Sequence, residues 1–309
     1  MRVLVFDSGR ADGSPLAPVI GELKKLGVDV CRISVGDEHK TPDERFKAAF
    51  DMVYTIKGCD SILLLGDRYE TLAAASAATI KRKPIYHIHG GENTAGSFDD
   101  QSRDAITALA QVHFAATARA TLRIGMIAKS HWVFHSGAPG LCAIKNLPKR
   151  KPKNHVVLTY HPETNGYDKD LLPMIDALLD RPDLRVIWTG VNKDPGADFV
   201  RRRLSNVFEE TPLDFRDYIK TCRQAALVIG NSSSGVIECP TIGVPSVDVG
   251  IRQFGRERGP SVFSGSSIPD MIEAAIDYDG PFDNPYFRPD AAKNIATVIS
   301  KPLTQTYLD

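Results

Sequence analysis

The sequence predicts an α/β protein of two doubly wound parallel sheets facing each other across a cleft. Two observations carry that prediction. Short apolar runs rich in β-branched residues alternate with amphipathic helical stretches along the whole chain, which is the pattern of βαβ units. The alternation is interrupted at Lys145-Asn-Leu-Pro-Lys-Arg-Lys-Pro-Lys153, where two prolines and five basic residues leave almost nothing to bury. That stretch reads as a linker, so the expected domains are 1–146 and 147–309.

In the first domain strands are expected at 3–6, 28–33, 61–65, 84–88, 112–115 and 132–135. Helices at 15–26, 42–57, 70–81, 100–111 and 118–127 are each long enough to return the chain across a sheet face. The second series places strands at 156–160, 186–189, 227–229 and 246–249, with helices near 168–180, 214–223, 233–242, 267–277 and 288–300.

Composition narrows the class. A chain of 309 residues with 42% hydrophobic content can furnish a core for each of two domains. Basic and acidic residues both number 38, so no global field steers nucleic acid or a membrane, and an anionic ligand must be caught locally. Cys31, Cys59, Cys142, Cys222 and Cys239 are scattered without metal-binding spacing and read as reduced thiols of a cytoplasmic protein. No apolar run reaches the ~20 residues that a bilayer span needs. The opening Met1-Arg-Val-Leu-Val-Phe6 enters as a strand, with no signal-peptide pattern.

The chemistry gathers at predicted strand ends. In Val228-Ile-Gly-Asn-Ser-Ser-Ser-Gly-Val-Ile-Glu238 a strand runs through small hydroxylic residues into a helix. Free N–H groups at the helix start, with the Ser232, Ser233 and Ser234 hydroxyls, suit phosphate oxygens, while Gly230 and Gly235 allow close backbone approach. Glu238 can accept from both hydroxyls of a ribose. The plainer reading is a serine N-cap with a surface glutamate. His161 stands between the strand at 156–160 and Pro162, either as a donor to a diphosphate or as a structural cap.

The first domain offers Ser8-Gly-Arg-Ala-Asp-Gly-Ser14 between strand and helix, with Arg10 as a phosphate cation, although the spacing fits neither a Walker nor a dinucleotide fingerprint. Asp67 and Arg68 leave the tip of a buried strand, either for a purpose or as a mutual ion pair. His87 and His89 fall on one strand face by period two, before glycines that expose backbone. They can belong to a metal site, yet no further ligand stands at a recognised spacing. Asp99 and Asp100 cap the next helix, where Arg103 lies one turn from Asp99, as a surface cap or as part of an acid–base group.

Eight ordered segments together resemble the UDP-N-acetylglucosamine 2-epimerase family, most closely its hydrolysing branch. They are Gly9-Arg-Ala-Asp12, Gly66-Asp-Arg-Tyr-Glu70, His87-Ile-His-Gly-Gly-Glu92, Phe98-Asp-Asp with Arg103-Asp-Ala-Ile-Thr107, Gly137-Ala-Pro-Gly140, His161-Pro-Glu163, Gly230-Asn-Ser-Ser-Ser-Gly235 with Glu238, and Gly250-Ile-Arg-Gln-Phe-Gly-Arg256. The resemblance implies two Rossmann-like domains of the glycosyltransferase-B type, with UDP mainly on the second and the sugar against the first. Carried over, Arg10, Ser14, His161, Ser232, Ser233, Ser234, Gly235, Glu238 and Arg252 grip the nucleotide. Asp67, His89, Asp99 and Arg103 surround the hexose as catalytic groups, with Arg68 and Glu92 at the substrate.

The implied reaction removes the C2 proton as UDP leaves C1. Water then adds to the resulting glycal to give a free 2-epimeric sugar such as N-acetylmannosamine, for sialic-type acid synthesis. The resemblance implies no metal or other cofactor, no nucleic acid or membrane partner, and a homodimer or homotetramer. Two departures stand out. The chain is shorter than is usual between its second strand and Asp67, and Asp104 stands where relatives usually place histidine after the arginine. The rival readings are a nucleotide-sugar-dependent glycosyltransferase on the same scaffold and a catalytically inactive UDP-sugar binder.

Overall fold

A computed structural model describes residues 1–36, 41–128, 132–144, 154–165, 168–192 and 194–301, apart from the side chains of 10–14. The chain divides into two compact units. The first comprises Met1–Glu92, Asp99–Ala143 and Tyr286–Asp309, and the second Asn93–Phe98 and Ile144–Pro285. The expected linker at 145–153 lies outside the described residues.

In the first unit the order is β1 (Arg2–Asp7), α1 (Arg10–Lys25), β2 (Asp29–Ser34), α2 (Pro42–Thr55), β3 (Ser61–Leu65), α3 (Tyr69–Ile80), β4 (Ile85–Ile88), α4 (Asp99–Leu109), β5 (Val112–Ala115), α5 (Ala118–Ile127) and β6 (Trp132–His135). The six strands pair in parallel in the order β2-β1-β3-β4-β5-β6. Both faces are covered, and the sequence shows how. Val3 and Val5 point to one face, with Leu16, Val19 and Leu23 of α1. Leu4 and Phe6 point to the other, with Ala49 and Val53 of α2 and the alanines Ala73, Ala74, Ala75, Ala77 and Ala78 of α3. Small side chains let α3 lie close to its neighbours, and among described helices α2 and α3 make the most extensive mutual contact.

The second unit continues with β7 (His155–Thr159), α6 (Leu171–Leu179), β8 (Arg185–Trp188), α7 (Ala197–Ser205), α8 (Phe215–Gln224), β9 (Leu227–Gly230), α9 (Ser233–Thr241), β10 (Ser246–Asp248), β11 (Val262–Phe263) and α10 (Ile268–Ile276). Its five strands are also parallel, in the order β11-β10-β9-β7-β8. Val156, Leu158 and Ile229 pack with Leu171, Met174 and Leu178 of α6 and Ile268 and Ile272 of α10. The fold class is the predicted one: α/β, with two doubly wound parallel sheets.

Three expectations need correction. The first helix starts at Arg10 and not at 15, so only Ser8 and Gly9 separate it from β1. Helix α7 and the two-residue β11 were not expected; α7 buries only Val200 and Leu204 among arginines, too sparse a stripe to register as periodic. The helix expected at 288–300 is α11 (Ala291–Ile299), and it does not remain with residues 147–285. Ile295, Ala296 and Ile299 pack with Leu16 and Leu23 of α1, so the chain after Pro285 completes the first core. Among the described residues no helix is long and apolar enough to cross a membrane.

Candidate active site

In the first sheet the strand order reverses between β1 and β3, and in open α/β sheets ligands gather beyond the carboxyl ends at such a reversal. Asp67 follows β3 there through Gly66. Arg103, one turn into α4, has no exposed surface, and both terminal nitrogens of its guanidinium meet carboxylates. Nη2 donates to Asp67, and Nη1 donates to Asp100 and, at 3.0 Å, to the Glu92 carbonyl. Burial alone would lower the Arg103 pKa, but the Asp67, Glu92 and Asp100 carboxylates together raise it above the ordinary arginine value. The charge is therefore permanent.

The turn after β4 is built on two histidines with separate tasks. His87 is wholly buried in the strand, its Nε2 donating to the Gly66 carbonyl at 2.8 Å, and burial drives its pKa down to about 3. A neutral ring thus holds the residue before Asp67. His89 lies past the strand end in a left-handed conformation, φ 64°, with Nδ1 2.5 Å from Glu92 Oε1. Gly91 is also left-handed, φ 74°, and a Cβ there would stand 2.4 Å from the Ala120 carbonyl oxygen, so the turn is pressed onto α5 and tolerates only glycine. After β3, buried Glu70 in the first turn of α3 takes Arg45 at 2.7 Å and Arg68 at 3.1 Å, and Arg45 also donates to Ser8 O at 2.9 Å.

The second sheet reverses between β7 and β9. Asn231, completely buried just after β9, bridges the two strand ends with its amide. Oδ1 accepts from His161 N–H and Nδ2 donates to His161 O, both at 2.7 Å. Gly230 has φ 136°, and a Cβ would stand 2.0 Å from Thr159 O, which excludes any side chain. The His161 pKa is held down to about 3, by burial and then by the Arg252 charge. Its Nδ1 accepts from Asn192 N–H at 3.2 Å, so the hydrogen bonding assigns the proton to Nε2, a donor. Helix α9 starts beside it: Ser232 Oγ caps the helix by accepting from Ser234 N–H at a long 3.4 Å, and Ser233 is the first helical residue.

A family model described as UDP-N-acetylglucosamine 2-epimerase matches residues 38–300. The chain belongs to that family. It is 31% identical over 273 residues to the Escherichia coli polysialic acid biosynthesis protein P7, covering 78% of this chain and 69% of that one. It is 33% identical to the Legionella pneumophila UDP-N,N'-diacetylbacillosamine 2-epimerase (hydrolyzing), covering 72% of this chain but only 64% of that relative. The crystal structure of the Neisseria meningitidis UDP-GlcNAc 2-epimerase bound to UDP-GlcNAc superposes with a TM-score of 0.77 over 97% of this chain and 99% of that one; at 18% identity this speaks for the fold.

Among the residues that the resemblance assigns to the epimerase site, the first unit brings together Asp67, His89, Glu92 and Arg103 through their shared contacts, with Asp99 opening α4. The second unit places His161, Ser232 and Ser233 at one strand reversal, while Gly235 and Glu238 lie further along α9. Several details differ from expectation. The partner of Asp67 is Arg103, and Arg68 turns to Glu70, because adjacent residues at a strand end point opposite ways. His87 and His89 do not share a face, since β4 stops at Ile88. The ion pair of Arg103 within its own helix is with Asp100, one residue later than Asp99.

Ser234 Oγ is buried beside the buried Tyr218 hydroxyl, away from the helix start. Arg252 is committed to Pro162 O at 2.7 Å and Asp194 at 3.0 Å, so it braces the His161-Pro162 turn. The side chains of Arg10 and Ser14 lie outside the described residues. Sequence reasoning took Asp100 only as a helix cap beside Asp99, and it missed Asn231, although an amide between a strand's last glycine and a serine cap was a signal for it. It also missed buried Glu163, which accepts from Ile251 N–H at 2.6 Å, and Gln253, which donates to Asn231 O at 2.8 Å. Among the described residues no cluster of His, Cys, Asp and Glu is disposed to hold a metal ion.

Proposed function

We propose that the chain is a hydrolysing 2-epimerase of a UDP-linked N-acetylhexosamine. The observation that carries the reading is the buried Arg103, held among Asp67, Asp100 and the Glu92 carbonyl at the strand reversal of the first sheet. Buried charge is costly, and a core that only had to be stable would do as well with apolar residues. A reaction that moves a proton at C2 needs carboxylates and imidazole held in place. Asp67, Asp99 and the hydrogen-bonded pair His89–Glu92 supply these groups, and the fixed charge of Arg103 anchors Asp67 and Asp100.

The second unit takes the leaving group. Nε2–H of His161, the Ser232 and Ser233 hydroxyls and the start of α9 receive the diphosphate, and Glu238 receives the ribose. The resemblance also assigns Arg10 and Ser14 to the nucleotide, and Gly235 admits close backbone approach. Donors already oriented toward a departing anion stabilise its developing charge without reorganisation. That matters because C2–H is a weak acid, so departure of UDP must carry much of the barrier. The hydrolysing branch is favoured by the relative of that description.

Incubation with UDP-N-acetylglucosamine and UDP-N,N'-diacetylbacillosamine in D₂O tests this. Expected are UDP and a free 2-epimeric sugar carrying solvent deuterium at C2, at a rate unaffected by chelator. A UDP-linked epimer identifies the non-hydrolysing reaction, dependence on an acceptor identifies a transferase, and UDP binding without any product identifies an inactive binder. Light scattering is expected to give a homodimer or homotetramer. A free mannosamine-type product suits sialic-type acid synthesis in the cytoplasm.

A further inference from the structure

The Asp104–Arg123 pair belongs to none of the roles assigned above, and it lies behind the His89–Glu92 turn. Arg123, on α5, meets Asp104, on α4, through both nitrogens: Nη1 to Oδ1 at 2.5 Å and Nη2 to Oδ2 at 2.7 Å. The same Nη1 also donates to the Glu92 carbonyl at 3.3 Å, which already accepts from Arg103 at 3.0 Å. One carbonyl therefore receives two guanidinium groups, one anchored by Asp67 and Asp100 and the other by Asp104. A bidentate pair fixes the plane of the guanidinium as well as its position.

The surroundings require such a brace. Gly90 and Gly91 leave the segment between His89 and Glu92 without side chains to pack, and the close approach of Gly91 to Ala120 and Ile124 seats it on α5, one turn of which carries Arg123. With its carbonyl fixed, the Glu92 side chain, 3% exposed, has its carboxylate held on His89 Nδ1. We infer that Asp104 and Arg123 are positioning residues of the acid–base site, acting through the Glu92 main chain to fix the His89 imidazole. The inference rests on the proposed reaction only for its catalytic consequence. It also gives a role to Asp104, where the resemblance places histidine: this chain fixes the turn with an aspartate–arginine clamp.

The test compares Asp104→Asn, Arg123→Met and the double variant, each as the full chain. Misplacement by a fraction of an ångström is expected to lower kcat for UDP release ~10- to ~100-fold, with KM nearly unchanged. The double variant should lose no more than the worse single one, since both act through one contact. Arg181→Met, which removes an aspartate–arginine pair with Asp183 in the second unit, should retain kcat.

A second readout needs no turnover: the ¹H–¹⁵N resonance of His89 Nδ1–H, sheltered by Glu92, should be present in the parent chain and lost in both single variants. Retention of that resonance in both variants overturns the inference. So does a fall in kcat matched by an equal loss of thermal stability with the resonance unchanged. If the parent chain releases no UDP, the proposed reaction fails, and the resonance alone still decides the clamp.

Discussion

The carboxyl ends of the two sheets are finished with opposite chemistry, although both sheets reverse strand order in the same way. Beyond β3 and β4 the side chains are charged and hold one another: Arg103 with Asp67 and Asp100, Arg123 with Asp104, Glu70 with Arg45 and Arg68. Beyond β7 and β9 the strand ends are tied by neutral groups, an amide from Asn231, an imidazole from His161 and hydroxyls at the start of α9, and the Arg252–Asp194 pair braces the turn after His161. A charge network positions ionisable groups against one another, so each depends on its partners. An amide bridge and a helix start position backbone, which needs no counter-ion and favours an arriving anion. On the proposed reaction, the first arrangement suits proton transfer and the second suits a departing diphosphate.

The most severe break in that comparison is Asp67→Asn. It keeps shape but removes a charge from the Arg103 network, and turnover is expected to fall by ~10² to ~10⁴. Nucleotide affinity, which the proposed reading assigns to the other unit, should stay within about twofold if the two networks act independently. Steady-state UDP release with calorimetric UDP binding checks both; equal losses in rate and affinity would abolish the division of labour.

Next in size is Asn231→Ala, which strikes the neutral unit. Two main-chain groups of His161 lose their buried partner, at about 1–3 kcal/mol for each group left unmatched. Urea unfolding should report that loss, with weakened UDP binding because His161 and the α9 start are no longer tied. The same substitution should leave the His89 Nδ1–H resonance in place. If that resonance were lost as well, the two strand-end networks would not be independent.

How far the sequence revealed these networks depends on the range of each contact. The sheets were legible because Val3 and Leu4, or Val156 and Val157, alternate between two apolar faces, and period two survives any tertiary detail. The helix start after β9 was legible because Gly230 through Gly235 carries its own local reason. Asp67, His89 and Arg103 were legible as residues, but their partners were not. The guanidinium that meets Asp67 comes from 36 residues away, and Asp104 is 19 residues from Arg123. Neither distance is a period of any element. The return of α11 to the first core was hidden for the same reason, since Ile295 and Ile299 form an ordinary amphipathic stripe that does not name its partner.

The smallest predicted effects sharpen the comparison within one helix. Ser233 opens α9 and lies half-buried at its start, whereas Ser234 Oγ is buried against the Tyr218 hydroxyl. If UDP binds through the start of α9, Ser233→Ala removes one hydroxyl donor and should weaken affinity by about 1 kcal/mol, roughly fivefold in Kd. Ser234→Ala should leave Kd unchanged, because its hydroxyl faces inward and its backbone N–H remains available to the cap. Titration calorimetry with UDP on the two variants separates them. The reverse order, with Ser234 the more sensitive, would mean that the diphosphate enters from the Tyr218 side, and the first turn of α9 would then serve only as a capped helix end.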